Sequence, residues 1–154
     1  MSGMIDDNSL NMSGYSIEEM YVGQRASITK TIGECDINTF AGIIGDLNPV
    51  HVNAEYAKTT RFGERIAHGM LTASFLSTIV GMCIPGADAI YLSQQLNFLL
   101  PVKIGDTITA TGVVTKIIEE KKIGYLDMTI TNQRGEIVVA GEGKVMATKN
   151  TQDL

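Results

Sequence analysis

The stretch that decides the fold is residues 67–87, which read AHGMLTASFLSTIVGMCIPGA and contain no Asp, Glu, Lys or Arg. Its length is compatible with a transmembrane helix. However, the stretch carries His68 and several hydroxyl side chains, is broken at Pro85-Gly86, and has no basic loop or aromatic belt beside it. A helix that is small or apolar on most faces is instead one that protein covers on most sides. We therefore predict a long, buried central helix over about residues 69–82.

The segments around this helix predict an α+β domain. Before it, we expect a strand over residues 21–29, a helix that starts with a capping box at Thr31 and Glu34 and ends at Gly45, and a short helix over residues 54–59 capped by Asn53. After it, β-forming residues at period two predict four strands, over residues 90–99, 107–118, 125–132 and 137–148.

The connections between these four strands suit antiparallel neighbours, so we predict one antiparallel sheet that curls around the central helix. The predicted domain spans residues 15–150, and the polar residues 1–14 are expected to form a flexible tail.

Composition excludes several classes of protein. The 154 residues include 17 acidic and 12 basic side chains, for a formal net charge of −5. Nucleic-acid binding and adsorption to an anionic membrane both need dense Lys and Arg, so we expect neither partner. The two cysteines and two histidines lack the spacing of a zinc or haem site, and we expect no metal. Cys35 and Cys83 need no disulfide, which favours a cytoplasmic location.

The candidate chemistry lies just ahead of the central helix, where residues 45–51 read GDLNPVH and residues 61–71 read RFGERIAHGML. Asn48-Pro49 restricts the chain between Asp46 and His51 to an extended, rigid connection. A carboxylate and an imidazole in a fixed relation can hold and deprotonate one water. The simpler alternative is that Asp46 only caps a turn and His51 only fills space.

The amide of Gly69 is expected at the N-terminus of the central helix, where backbone N–H groups are unsatisfied and partial positive charge gathers. Such a group suits a carbonyl oxygen that becomes an oxyanion during reaction. The alternative is that this glycine only permits tight packing.

These two runs resemble the signature of the MaoC-like, (R)-specific enoyl-CoA hydratases, which are hot-dog-fold enzymes related to those that feed polyhydroxyalkanoate synthesis. The resemblance covers about residues 15–148 and includes YLSQQLNF at residues 91–98 and LPVKIGD at residues 100–106. It implies that the strands wrap the central helix. One departure is Ile44, which stands where the family usually has a small or hydroxylated residue.

The resemblance also implies an activity, which is reversible hydration of trans-2-enoyl-CoA to (R)-3-hydroxyacyl-CoA, a hydro-lyase reaction of fatty acid metabolism. Asp46 and His51 match the catalytic pair and Gly69 the oxyanion-hole donor. We place five residues among the substrate-binding groups: Asn48, Phe62, His68, Ser77 and Lys103. No cofactor is implied, because the substrate itself carries coenzyme A, and at least a homodimer is expected.

Other assignments stay open. The phosphates of coenzyme A need local cations, and the candidates are Lys58, Arg61, Arg65 and Lys103. The acyl chain is expected between sheet and helix, near Phe62, Met70, Phe75 and Leu76. Three other functions are possible: a hot-dog acyl-CoA thioesterase, a non-catalytic acyl-CoA-binding module, and a hydrolase with Ser77 as nucleophile. The hydrolase is the weakest, because the chain has no Gly-x-Ser-x-Gly elbow.

Overall fold

The structure is a computed structural model that describes residues 10–150. In chain order the helices are α1 (Glu34–Ile44), α2 (Pro49–Val52), α3 (Ala54–Lys58) and α4 (Gly69–Thr78), and α4 continues as a π-helical segment over Ile79–Cys83. The strands are β1 (Arg25–Thr31), β2 (Ala89–Phe98), β3 (Thr107–Ile118), β4 (Ile123–Thr131) and β5 (Ile137–Ala147).

The five strands form one antiparallel sheet in the order β1-β3-β4-β5-β2. One face of this sheet packs on α4 and the π-helical segment. The core between them is made mostly of branched aliphatic side chains, including Leu76, Ile79, Val114, Leu126 and Ile130. The predicted α+β architecture, a curved sheet around a central helix, is therefore confirmed.

Helix α4 departs from its prediction in two ways. Regular α-helix ends at Thr78, and the remaining turn is π-helical. Its covering is also incomplete, since Leu71, Thr72 and Leu76 are buried but Met70 and Ser77 are exposed. The prediction that protein surrounds nearly every face of this helix is wrong within the single chain, because α4 leaves one stripe open beside β2.

Two local predictions ahead of α4 are also corrected. Helix α1 begins after Gly33, not in a capping box of Thr31 and Glu34, because the Thr31 hydroxyl is bonded to that of Thr107 at 2.8 Å, across the β1–β3 pair. The expected extended connection after Asn48 is instead the one-turn helix α2, with Pro49 in its first position, where proline costs no hydrogen bond.

The amino-terminal segment lies partly outside the described residues. Of the expected tail, residues 1–9 are not described. Leu10 packs against the core, and the Asn11 amide donates to the Met82 carbonyl at 2.8 Å. The packed part of the described chain thus begins before Tyr15. Among residues 10–150, no helix has the length and apolar character that crossing a membrane requires.

Candidate active site

The loop that carries Asp46 is shaped by the end of α1. Gly45 adopts a left-handed conformation with φ of 76°, and its amide donates to the Ala41 carbonyl at 2.9 Å, which closes the helix. The Asp46 carboxylate is exposed and accepts from the Asn48 amide at 3.1 Å. The Asn48 side-chain oxygen accepts from the Val50 amide at 3.2 Å. The loop between Asp46 and His51 is therefore held in shape by hydrogen bonds from its own backbone amides to the Asp46 and Asn48 side chains.

His51 is buried, and its ring orientation is fixed by one hydrogen bond. Its Nδ1 lies 2.8 Å from the Ile66 carbonyl oxygen. Because a carbonyl only accepts, Nδ1 carries the proton, and in the neutral imidazole Nε2 then has a free lone pair. This is the tautomer that a general base requires.

His68 supports the His51 ring from one side. The two imidazoles are stacked, with centroids 3.8 Å apart and an interplanar angle of 25°. The Phe40 ring packs edge-on against His68 at 5.2 Å. His68 Nε2 donates to the Asp46 carbonyl at 2.9 Å, which leaves Nδ1 as a buried acceptor with no protein partner among residues 10–150. His68 thus links the two candidate catalytic residues.

Potential ligand atoms of Asp46, His51 and His68 all lie within 4.8 Å of one another, a spacing that suggests a cation site. The ring stacking argues against one ion bound by both imidazoles. An imidazole binds a metal in its ring plane, and two nearly parallel rings direct their lone pairs side by side instead of at one point. The stack therefore does not suit a single ion bound in the plane of both rings.

Gly69 is the first residue of α4, and its N–H is one of those that have no acceptor within the helix. Gly69 lines a cavity of about 230 Å³. We call this space the Gly69 cavity; it is lined by Arg61, Phe62, Ile66, Ala67, Gly69, Thr72, Phe98, Leu99, Leu100, Pro101, Val102 and Val139. A Cβ atom at position 69 would lie 2.8 Å from Cδ1 of Phe98, so only glycine fits without a shift of that ring.

A second, larger space of about 400 Å³ follows the open stripe of α4. We call it the α4–β2 groove; it is lined by Phe40, Met70, Ala73, Ser74, Ser77, Tyr91, Leu92, Ser93, Gln94 and Leu96. Phe40 connects this groove to the histidine stack, and Met70 follows Gly69 directly. Of the three candidate catalytic residues, Gly69 lines the first space, and neither Asp46 nor His51 lines either one.

Arg65 was considered from the sequence only as a possible phosphate ligand. In the structure its side chain is 10% exposed, and each of its three guanidinium nitrogens donates a hydrogen bond. Its Nε donates to the His51 carbonyl at 2.6 Å, and its terminal nitrogens donate to Glu34 and, at 2.7 Å, to the side-chain oxygen of Asn38. The next residue, Ile66, holds the His51 ring. Arg65 thus ties α1, α2 and the loop before α4 together around His51.

Of the residues predicted to bind substrate, Phe62 lines the Gly69 cavity and His68 contacts both members of the candidate catalytic pair. Asn48 caps α2. Ser77 lies two turns along α4 in the groove and makes no hydrogen bond to Asp46 or His51. The Lys103 ammonium is paired with Glu64 at 2.7 Å.

Two further expectations change. Leu76 belongs to the buried core, and neither it nor Phe75 lines either space. Among the four candidate phosphate ligands, Lys58, Arg65 and Lys103 are each paired with a glutamate. Within the described part of the chain, Arg61 alone of the four has no carboxylate partner. Its guanidinium lies 4.9 Å over the Phe62 ring, at the Gly69 cavity.

Known proteins are similar to this chain in sequence and in structure. A family model described as "MaoC like domain" matches residues 16–136. An (R)-specific enoyl-CoA hydratase of Rhodospirillum rubrum is 51% identical over 129 residues, covering 84% of this chain and 89% of the relative. A second, from Aeromonas caviae, is 42% identical over 134 residues, with 87% and 98% covered. The solved R-hydratase of Pseudomonas aeruginosa has a TM-score of 0.85 at 41% identity, over 89% of this chain and 88% of that one.

Proposed function

The chain belongs to the MaoC-like domain family, and we propose that it catalyses the reversible hydration of trans-2-enoyl-CoA to (R)-3-hydroxyacyl-CoA. The observation that carries the proposal is the His51 ring. Its Nδ1 is bonded to the Ile66 carbonyl, its face is supported by His68, and one of its ring nitrogens lies within 4.8 Å of a carboxylate oxygen of Asp46. The similarity to relatives named as (R)-specific enoyl-CoA hydratases gives the reaction class.

In the proposed mechanism, Asp46 and His51 hold one water. His51 Nε2 accepts a proton from this water as its oxygen bonds to carbon 3 of the substrate. The electrons of the double bond move toward the thioester, whose oxygen accepts a hydrogen bond from the Gly69 amide. Transfer of that proton from His51 to carbon 2 on the same face completes the addition and restores the neutral imidazole, and the reverse sequence removes water. No resident cofactor or metal is needed for these steps.

We assign the two spaces to the two halves of the substrate. The Gly69 cavity is proposed to take the thioester and the start of the coenzyme A moiety, with Arg61 as the cation for its phosphates. The α4–β2 groove is proposed to take the acyl chain, because its walls are largely apolar and it is lined by Met70, the residue that follows Gly69. We also propose a homodimer, and a cytoplasmic location supported by the exposed free thiol of Cys35.

The test is a hydration assay with a four-carbon trans-2-enoyl-CoA, followed as loss of enoyl absorbance, with chiral analysis of the product. Asp46→Asn and His51→Gln keep side-chain size but remove the acid–base chemistry, so each is expected to lower kcat about 10³-fold. The matched control is Asp127→Asn, an exposed carboxylate on β4, which is expected to leave kcat unchanged.

Near-normal hydration by either site variant would refute the assigned mechanism. Release of free thiol without loss of the enoyl group would indicate the alternative thioesterase. Binding of the substrate without any turnover would indicate a non-catalytic acyl-CoA-binding module.

A further inference from the structure

A polar pair interrupts the apolar wall of the α4–β2 groove. The hydroxyl of Tyr91 donates to the side-chain oxygen of Gln94 and lies 3.5 Å from Sδ of Met128. The amide nitrogen of Gln94 donates in turn to the Gln95 carbonyl at 2.9 Å. The Tyr91 side chain is thus held from two sides, at the inner face of the sheet.

A β-bulge brings the two side chains together. Residues three apart on a regular strand point to opposite faces. Here the register between β2 and β5 shifts between Tyr91 and Ser93, with Leu92 as the extra residue. Tyr91 and Gln94 are both partly buried, whereas Leu92 is exposed. The bulge therefore directs both polar side chains into the groove, a common use of bulges near functional sites.

The pair lies at the end of the groove that is far from the proposed reaction centre. The Phe98 ring contacts Gly69, at the start of α4. Tyr91 precedes Phe98 by seven residues on the same strand, which corresponds to about 20 Å along β2. Ser77, in the same groove, is about 12 Å along α4 from Gly69. An acyl chain that extends from Gly69 would meet Tyr91 and Gln94 last.

We propose that Tyr91 and Gln94 together set the length of acyl chain that the groove accepts. The inference rests on the proposed function, since it concerns the acyl half of that substrate. A chain long enough to reach the pair must displace the Tyr91 ring or press methylene groups against the hydroxyl and the amide. Displacement breaks the Tyr91–Gln94 hydrogen bond and leaves two partly buried polar groups without that partner, which is costly. Shorter chains fill the apolar part of the groove without this cost.

The Tyr91 hydroxyl does not ionise in the pH range around neutrality. Burial raises the pKa of Tyr91 to about 12, so its hydroxyl stays a neutral donor around neutral pH. Length selection is therefore expected not to change with pH between about 6 and 9.

The experiment measures kcat/KM for trans-2-enoyl-CoA substrates with four, six, eight, ten and twelve carbons. Tyr91→Val removes the ring and keeps a strand-forming side chain, so the ten-carbon to four-carbon ratio of kcat/KM is expected to rise at least about tenfold. Gln94→Leu keeps the volume but removes the acceptor that holds the ring, and a rise of about threefold is expected. The matched control is Tyr125→Val, which removes a tyrosine ring from β4 that contacts Lys116 and Lys144 and does not line the groove.

Circular dichroism first establishes which variants fold. If Tyr91→Val does not fold, the ten-carbon to four-carbon ratio of kcat/KM measured for Gln94→Leu tests the proposal instead. A ratio that stays within twofold of the unaltered protein in the folded variants, or that rises equally in Tyr125→Val, would overturn the proposal. If the unaltered protein hydrates none of the substrates, the proposed function itself fails. If it hydrates the four-carbon substrate and only the ratios do not move, the proposed function stands and only the assignment of this pair is wrong.

Discussion

Arg65 shows how single residues away from the reacting atoms shape this site. The run from Asp46 to Gly69 could be selected from sequence because its members are close together and each has a recognisable chemistry. The contacts of Arg65 with Glu34 and Asn38 could not be predicted from sequence. They join α1 to a loop about thirty residues later and depend on how the helices pack. For the same reason, sequence spacing gave no indication that Phe40 supports His68.

We expect Arg65 to be a positioning residue for His51. Arg65→Met removes the donor to the His51 carbonyl, and a small displacement of the base is expected to lower kcat about 10²-fold with little change in KM. Arg65→Lys keeps one charged donor and is expected to recover part of the loss. Steady-state kinetics, corrected for the folded fraction by circular dichroism, provides the measurement. The control is Arg134→Met, which removes a surface arginine paired with Glu136. An unchanged kcat per folded Arg65→Met molecule would mean that Arg65 only stabilises the fold.

At the scale of whole elements, regular strands were predictable and irregular helices were not. The predicted bounds of β3 agree with the structure, because its β-forming residues run from the Gly105-Asp106 turn to the acidic turn at residues 119–121. Helix α2 has one turn, too short to show a 3.6-residue period, and was missed. The π-helical end of α4 depends on a change in the backbone hydrogen-bond pattern, and the apolar residues there give no signal that predicts it.

The start of α1 provides a prediction with a pH dependence. The Asp36 carboxylate accepts from the Gly33 amide at 2.8 Å and pairs with the Lys30 ammonium at 3.2 Å. Partial burial raises the Asp36 pKa, but the hydrogen bonds from Gly33 and Lys30 and the Lys30 charge lower it by more, so the pKa falls below the ordinary value of an aspartate. A lowered pKa in the folded state means that the ionised carboxylate stabilises the fold.

Asp36→Asn is therefore expected to lower the free energy of unfolding at pH 7 by about 1 kcal/mol. The difference from the unaltered protein should persist at pH 5, where the carboxylate is ionised in both the folded and unfolded states. It should shrink as pH falls below 3.8 and through the lower folded-state pKa. Urea unfolding at several pH values gives the difference, and Glu120→Gln, an exposed acid on a turn, is the control. A pH-independent difference would show that the Asp36 charge has no part in capping α1.

At the scale of the whole molecule, the two edges of the sheet differ in charge and in their exposed apolar side chains. The β1 edge carries Arg25 and Lys30, charges of the kind that discourage strand addition. The β2 edge, AIYLSQQLNF, carries no charge, and Ile90 is 47% exposed. Exposed apolar side chains continue past its end at Leu99 and Leu100. An uncharged edge strand beside an apolar surface is the feature that a second copy of the chain would cover.

The proposed homodimer is therefore expected to form along β2. In a two-fold symmetric pair each substitution occurs twice in one interface, so Ile90→Lys brings two like charges to it and is expected to weaken association at least about tenfold. Ile137→Lys is the matched control, because Ile137 is 45% exposed but lies at the start of β5, where it neighbours β4 at Thr131 and not the free edge of β2. Sedimentation velocity across a concentration series gives the dissociation constants. Equal weakening by both substitutions, or a monomer at every concentration of the unaltered protein, would show that the β2 edge is not the dimer contact. The unpaired β2 edge and the open stripe of α4 lie on the same side of the fold, so a dimer formed there would also cover the groove that we assign to the acyl chain.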